Sequence, residues 1–439
     1  MALDFELSQE QKALQKAARE FSQDLLLPIV RDADAEPDPQ KGFKMIKPVY
    51  EKAYEMGFAT GFLPKEYGGG GLTVMDVLIA VEEIGAVDPG FGCVLLVNGL
   101  ALMPLVWFGS EAQKKKWLTE ACSDSTNSYL AGWCVSEPAG TPGGTANFDH
   151  PDPKAGIQVT ADLKNGEYVI NGRKYWPSNA AGWDMKGADV CNVIVRTDRN
   201  KGGKDALSCI LVPRGTPGVT YEPTIDKMGQ RLNQNCDIHY KDVVVPEENV
   251  FALGDGDLVI SKAFTWSGPV AGIAAVGTAR SAYEYTLDWC KTYTGGGLDP
   301  IINHQNVGYM LTDIATKIEA SRYLCYKSGF YADKYDNENQ ALGAMAKIQP
   351  GETCTQAVYD CMRVMGINSY DRRSHPLDKY LRDMLCFPIY DAGNMGMQRR
   401  KIWGVMAHKS FNPRAFMDNE EIKFSEEMEG MGSITNPQK

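Results

Sequence analysis

Histidine is scarce in this chain, at five residues in 439, and the eleven cysteines are scattered without a single Cys-x-x-Cys pair. Clustered metal sites and a disulfide framework are both disfavoured, and reduced, mostly buried thiols in a cytoplasmic protein are expected. A surplus of positive charge is also missing. Lys and Arg total 45 against 56 Asp and Glu, a formal charge of −11, so no nucleic-acid or anionic-membrane partner is expected. The opening residues Met1 to Glu6 lack the basic and apolar regions of a signal peptide. The longest apolar run, Cys93 to Phe108, is too short to cross a bilayer and contains Asn98 and Pro104, so it reads as a buried core helix.

What is present divides the chain by pattern. Ser8-Gln9-Glu10-Gln11 has the form of a capping box, followed by apolar residues at helical spacing through Leu14, Ala17, Phe21 and Leu25. Further helices are predicted over about 44–56, 74–86, 90–107 and 111–120. The glycine run Gly68 to Gly71 has neither a preceding strand nor a following Gly-Lys-Ser/Thr, so it predicts a turn rather than a phosphate loop. From about 129 to 247 short β-rich runs alternate with turn signals, for example 166–170, 190–195 and 207–212, with an inserted surface loop expected over 148–155. Long amphipathic stretches over about 256–293, 304–333, 338–366 and 379–408 then suit a four-helix bundle. The expectation is an α+β multidomain protein: a helical domain (1–128), a β-barrel-like middle domain (129–247), a four-helix bundle (248–412) and an acidic tail (413–439).

Two strands in the middle region each pair an aromatic with a hydroxyl: Trp133-Cys134-Val135-Ser136-Glu137-Pro138 and Asn171-Gly172-Arg173-Lys174-Tyr175-Trp176-Pro177-Ser178-Asn179. An indole can lie on a flat heterocycle while hydroxyls and backbone amides bond its polar edge. The competing reading is two ordinary β-strands with buried tryptophans. Asp391, in Tyr390-Asp391-Ala392-Gly393-Asn394, follows the apolar run Met384 to Ile389 and precedes a helix carrying Arg399 and Arg400. A carboxylate there can project into an apolar cleft as a base, or cap the helix beginning near Met395. Lys174 reads as a solvated strand residue, and His304 as a packing residue at a helix N-terminus.

These strands resemble the flavin-contacting strands of the acyl-CoA dehydrogenase superfamily. The resemblance continues through Met228-Gly229-Gln230-Arg231, Asp242 to Pro246, His304-Gln305, Arg382-Asp383 and Tyr390-Asp391. It implies bound FAD, lined by Trp133, Val135, Ser136, Gly144, Thr145, Trp176 and Ser178. Gln305 and the turn Arg363 to Gly366 would reach the pyrophosphate and adenine from a neighbouring subunit, which implies a homotetramer. Asp391 falls where the superfamily has its glutamate base. Aspartate there resembles the nitroalkane oxidase branch, as do Gly144 to Asn147, Trp176 to Asn179, Gly182-Trp183-Asp184 and Ser267, which would stand beside the flavin.

Departures run both ways. The nitroalkane oxidase arginine seven residues after the base is replaced by Gln398. Acyl-CoA dehydrogenase arginines would fall at Gly268, near Cys236 and around Gly295, whereas Met228 to Arg231 is typical of that side. The leading expectation is an acyl-CoA dehydrogenase in which Asp391 takes the α-proton of a CoA thioester and a β-hydride passes to the flavin. Nitroalkane oxidase chemistry is the rival, and a non-dehydrogenase flavin-binding protein is the third reading. The electron acceptor would be an electron-transfer flavoprotein or O2.

Overall fold

Capping chemistry sets most helix starts in the first third. The Ser8 hydroxyl accepts from the Gln11 amide while the Gln11 side chain accepts from the Ser8 amide, opening α1 (Gln9–Phe21). The expected continuation through Leu25 becomes a π-helical turn, Ser22–Leu26, because Pro28 cannot donate into the ladder; α2 (Leu27–Ala35) restarts beyond it. Likewise the single helix expected over 44–56 is two, α3 (Pro39–Met45) and α4 (Lys47–Glu55), divided at Ile46 just before Pro48. α5 (Val74–Val87) and α7 (Glu111–Cys122) open on capping boxes from Thr73 and Ser110. Asp88 caps α6 (Pro89–Phe108). The computed structural model describes residues 5–144, 150–203, 205–334, 336, 340–409 and 411–414.

α6 is the apolar run singled out from the sequence. By length and composition it and α8 (Gly256–Thr292) could cross a membrane, but 61% and 89% of their most apolar windows are buried inside the protein. Asn98 does not sit free in that core. Its amide donates to the Tyr50 hydroxyl at 2.8 Å and its carbonyl accepts from Ala131 N at 2.9 Å, joining α6 to α4 and to the first strand.

The middle region is one eight-stranded sheet, ordered β6-β7-β3-β2-β4-β5-β8, with β1 beside β4. Its strands are β1 (Ala131–Cys134), β2 (Thr160–Lys164), β3 (Glu167–Ser178), β4 (Val190–Arg196), β5 (Leu207–Pro213), β6 (Val219–Tyr221), β7 (Asn235–Pro246) and β8 (Val250–Phe251). β1 runs parallel to β4 from Val190 to Val193, β2 meets β4 at Arg196, and β5 pairs antiparallel with all of it. The register of β3 on β7 slips between Tyr175 and Ser178. That irregularity falls on the second aromatic-hydroxyl motif. His150 to Ala155, the described part of the expected inserted loop, is exposed or half-buried.

The C-terminal helices are α8, α9 (Gln305–Lys334), α10 (Gln340–Met365), α11 (Leu377–Met384) and α12 (Arg399–Ala407). α8 is the hub, packed on α5, α6, α9 and α10. The fourth stretch of the expected bundle is not one helix. It breaks after Met384, passes Pro388, and resumes as a π-helical segment, Gly393–Gln398, that leads into α12. The break is what places Asp391. Of the expected tail, residues 415–439 lie outside the described residues.

One interdomain joint absorbs two of the sequence motifs. Asp383 at the end of α11 accepts from the Gln230 amide, and its other oxygen accepts from Lys379 at 2.6 Å. Lys379 also bonds Asp88, the cap of α6. Arg231 donates to the Asp34 and Glu36 carbonyls, and Arg382 to the Asp34 carboxylate and the Met228 carbonyl. A Cβ at Gly229 would lie 2.2 Å from the Arg382 carbonyl, so only glycine fits. Met228 to Arg231 is therefore a latch between the three regions.

Candidate active site at the Asp391 loop

Asp391 and Ala392 both hold left-handed backbone conformations, at φ 51° and 70°, which cost energy and persist only where the surroundings enforce them. The enforcing contacts are specific. Gln398 Nε2 donates to the Asp391 carbonyl at 3.0 Å. Lys347, fully buried on α10, donates to the Phe387 carbonyl and to Asn394 Oδ1 at 3.0 Å, and its ammonium lies 5.1 Å from the Tyr390 ring centroid. The two ends of the loop are thus tied to one cation. Asp391 does not cap the segment that follows it, since no side-chain cap is made there.

The Asp391 side chain instead turns towards α8. Ser267 Oγ lies 2.9 and 3.0 Å from its two oxygens and donates to the carboxylate. Burial pushes the Asp391 pKa up, opposed by Lys347, by the Ser267 hydroxyl and by Lys401. The same burial acts on the lysines, lowering Lys347 to about 8 and Lys401 to about 7, with Asp391 opposing in both cases. A buried carboxyl with raised basicity, one hydroxyl donor and two lysines in its field is chemically able to accept a proton.

The two strand motifs meet: Tyr175 N donates to the Ser136 carbonyl at 2.9 Å. Ser136 itself is exposed. Trp176 has φ 76°, an outlier for so bulky a residue, and its indole is 49% exposed. Asn235 Nδ2 holds its carbonyl at 2.6 Å, so strain is spent to display a large flat ring. Ser178 Oγ accepts from Asn233 and Asn235 at 3.1 and 3.0 Å, which leaves its proton to donate. Trp133 is buried, and its Nε1 finds no partner among the described residues. Val135 is half-buried, and its carbonyl accepts from Lys174 at 2.8 Å.

Lys174 corrects an expectation. It is not solvated but fully buried, paired with Glu137 at 3.3 Å, and Glu137 also accepts from the Gln158 and Val159 amides. A lysine on the inward face of a strand has to take its charge inside, and here a buried carboxylate meets it. Gly144 stands where a Cβ would lie 2.5 Å from the Pro138 carbonyl. Thr145, with Ala146 and Asn147, lies outside the described residues.

Gln305 opens α9, exposed, with its amide on the Tyr309 hydroxyl. Arg363 is exposed near the end of α10 and bonds Asp360 at 3.1 Å, and Gly366 follows at φ 64°. No hydrogen bond among the described residues joins these three to Asp391 or to the strand motifs. His304 is exposed at the start of α9. At Gly268 a Cβ would lie 2.4 Å from the Gly343 carbonyl, so the α8–α10 contact leaves no space for an arginine; Cys236 is fully buried.

Sequence reasoning missed Lys347, Lys401, Asn233, Asn235 and Cys93. Cys93 lies 3.3 Å from Asn233 Nδ2, and burial pushes its thiol up to about 12. The available signal for the lysines was a charge inside an apolar helical period, as in Ala344-Met345-Ala346-Lys347-Ile348.

Comparison with known proteins accords with this arrangement. The acyl-CoA dehydrogenase N-terminal, middle and C-terminal domain families match residues 8–125, 151–243 and 254–406. A nitroalkane oxidase from Podospora anserina is 30% identical over 94% of this chain and 98% of its own. Nitroalkane oxidase structures, an active-site aspartate-to-asparagine variant with 1-nitrooctane and a serine-to-alanine variant with 1-nitrohexane, each superpose at TM-score 0.87 with 28% identity, covering 94% of this chain and 99% of theirs. Butyryl-CoA dehydrogenase from Megasphaera elsdenii superposes at 0.82 with 25% identity, over 92% of this chain and 100% of its own. This chain belongs to the acyl-CoA dehydrogenase family and is a flavin-dependent oxidoreductase.

Proposed function

We propose that this enzyme is an FAD-dependent oxidase of nitroalkanes, with Asp391 as the base that removes the proton from the carbon bearing the nitro group. The observation that carries the reading is the Ser267 hydroxyl on both Asp391 oxygens. The hydroxyl offsets part of the rise in basicity that burial gives Asp391. A nitro group acidifies its neighbouring C–H far more than a thioester carbonyl does, so a short, hydrogen-bonded aspartate suits the nitroalkane better. The related nitroalkane oxidases with active-site aspartate and serine variants carry the same two residue types in their active sites.

The chain's own residues fit a flavin. The orphaned Trp133 Nε1, the spare Ser178 proton, the exposed Ser136 and the displayed Trp176 ring supply donors and a flat surface. Val135, Gly144 and Thr145 would line the same cofactor. Gln305, Arg363 and Gly366 would reach its far end from a second subunit of a homotetramer, a cytoplasmic assembly. When bound, FAD supplies a two-electron acceptor that O2 reoxidises. The net reaction is nitroalkane plus O2 and water giving aldehyde, nitrous acid and hydrogen peroxide. Asp391 takes the proton, Ser267 keeps the carboxylate turned to α8, and the Lys347-bound loop fixes its approach.

The second reading, dehydrogenation of a CoA thioester with an electron-transfer flavoprotein as acceptor, rests on Met228 to Arg231. Those residues form the interdomain latch, which bears on assembly rather than substrate. A non-dehydrogenase role fits poorly with a base that keeps a dedicated donor. Anaerobic titration of the purified flavoprotein with primary nitroalkanes and acyl-CoAs decides between them. Bleaching of the flavin by nitroalkanes, with recovery and nitrite release in air, is expected. Bleaching by CoA thioesters alone would overturn the proposal.

A further inference from the structure

We propose that Lys401 is the positioning cation of the Asp391 base, supplying from one helical turn further on the charge that the arginine expected at position 398 would have supplied. The inference rests on Asp391 being the base. Gln398 is fully buried, neutral and already committed, its Nε2 on the Asp391 carbonyl. Lys401 stands three residues on, the spacing that brings side chains to one helix face, and is 3% exposed. Its Nζ donates to the Ser261 carbonyl of α8 at 3.0 Å. Ser267, which holds the carboxylate, lies six residues further along that helix, about 9 Å in axial rise. One rigid helix therefore anchors both the ammonium and the carboxylate.

Each element around the pair adds a group. Asp391 is faced by Ser267 from α8, by Lys347 from α10, by Lys401 from α12, by Cys93 from α6 and by Tyr390 of its own loop. Lys401 is faced by Asp391 and by Arg400. Lys347 contributes field but is spent on Phe387 and Asn394 as the scaffold of the loop. Lys401 has no such backbone duty at the loop. A buried ammonium needs a counter-charge, and Asp391 opposes the loss of its proton. The sign follows: positive Lys401 favours ionised Asp391, so its removal raises the pH at which the base becomes available.

The test uses the holoenzyme with Lys401→Met, Lys401→Arg and the transposed double variant Gln398→Arg/Lys401→Gln, whose net charge is unchanged. Protonation of Asp391 is followed by its carboxyl infrared band, assigned by its loss in Asp391→Asn. This readout needs no substrate, so it still decides if nitroalkanes prove not to be turned over. Lys401→Met should move the midpoint up by about one pH unit or more, and Lys401→Arg and the double variant should bring it back. The acidic limb of kcat/KM, measured with whichever substrate bleaches the flavin, should move with it. A midpoint unchanged in Lys401→Met would overturn the proposal. If that variant fails to bind flavin, Lys401→Gln is read by the same band, and an unchanged midpoint there overturns the proposal equally.

Discussion

Lys174 and Lys401 are both buried ammonium groups facing a carboxylate, yet their surroundings differ. Lys174 pairs with Glu137, bonds the Val135 carbonyl, and shares Glu137 with two backbone amides. Two of its three N–H groups are bonded, and both oxygens of Glu137 accept from backbone amides. Around Asp391 the groups stay open: among the described residues the carboxylate has one hydroxyl donor, and Gln398 Oε1 is buried without a partner. A closed buried network fixes a fold, whereas an open one keeps groups available to a ligand. The same residue chemistry is closed off in the sheet and left open at the helix break.

The comparison can be broken first at its reactive end. Asp391→Asn should lower kcat/KM by about 10²–10⁴-fold while flavin content is kept, as steady-state kinetics and absorbance would show. The same variant should be more stable at neutral pH. Asp391 has its pKa raised on folding, so the unfolded chain holds fewer protons between the unfolded value near 3.9 and the folded one, and stability falls as pH rises through that window. The stabilisation measured by urea denaturation should therefore vanish at acid pH.

At the structural end, Glu137→Ala leaves Lys174 buried without its partner. A loss of about 3–5 kcal/mol is expected, read from the urea midpoint at unchanged m. Ser267→Ala sharpens the contrast with a smaller effect. Removing a donor from ionised Asp391 should cost about tenfold in kcat/KM, equivalent to about 1.4 kcal/mol, and move the acidic limb to higher pH. Smallest is Trp176→Asn, which accepts φ 76° more readily. It should gain about 1 kcal/mol in the apoprotein yet retain flavin less well in dialysis.

The family and the three-region order were legible because they rest on local strings such as Trp133 to Pro138 and Asn171 to Asn179, and Tyr390-Asp391 supplied the candidate base. Helix continuity was less so. The expected helix over 379–408 hid the break at Pro388, since amphipathic spacing survives an interruption. Lys174 was misplaced because its burial depends on Glu137, 37 residues away in the loop after β1, a pairing that only the tertiary structure creates. Met228 to Arg231 reads as typical of acyl-CoA dehydrogenases, but its place in a joint was not legible because its partners Asp34 and Arg382 lie far off in sequence.

By itself the sequence determined which groups this protein owns: an aspartate just beyond an apolar run, two indoles beside hydroxyls, and a glutamine where an arginine was expected. Periodicity and capping determined where most helices start, since those forces act within a turn or two of chain. Tertiary structure alone decided which of those groups face one another. Ser267 meets Asp391 across 124 residues of sequence, and Lys347 and Lys401 reach the same site from separate helices. The physical reason is that burial and electrostatic fields are set by spatial neighbours, which local spacing does not encode.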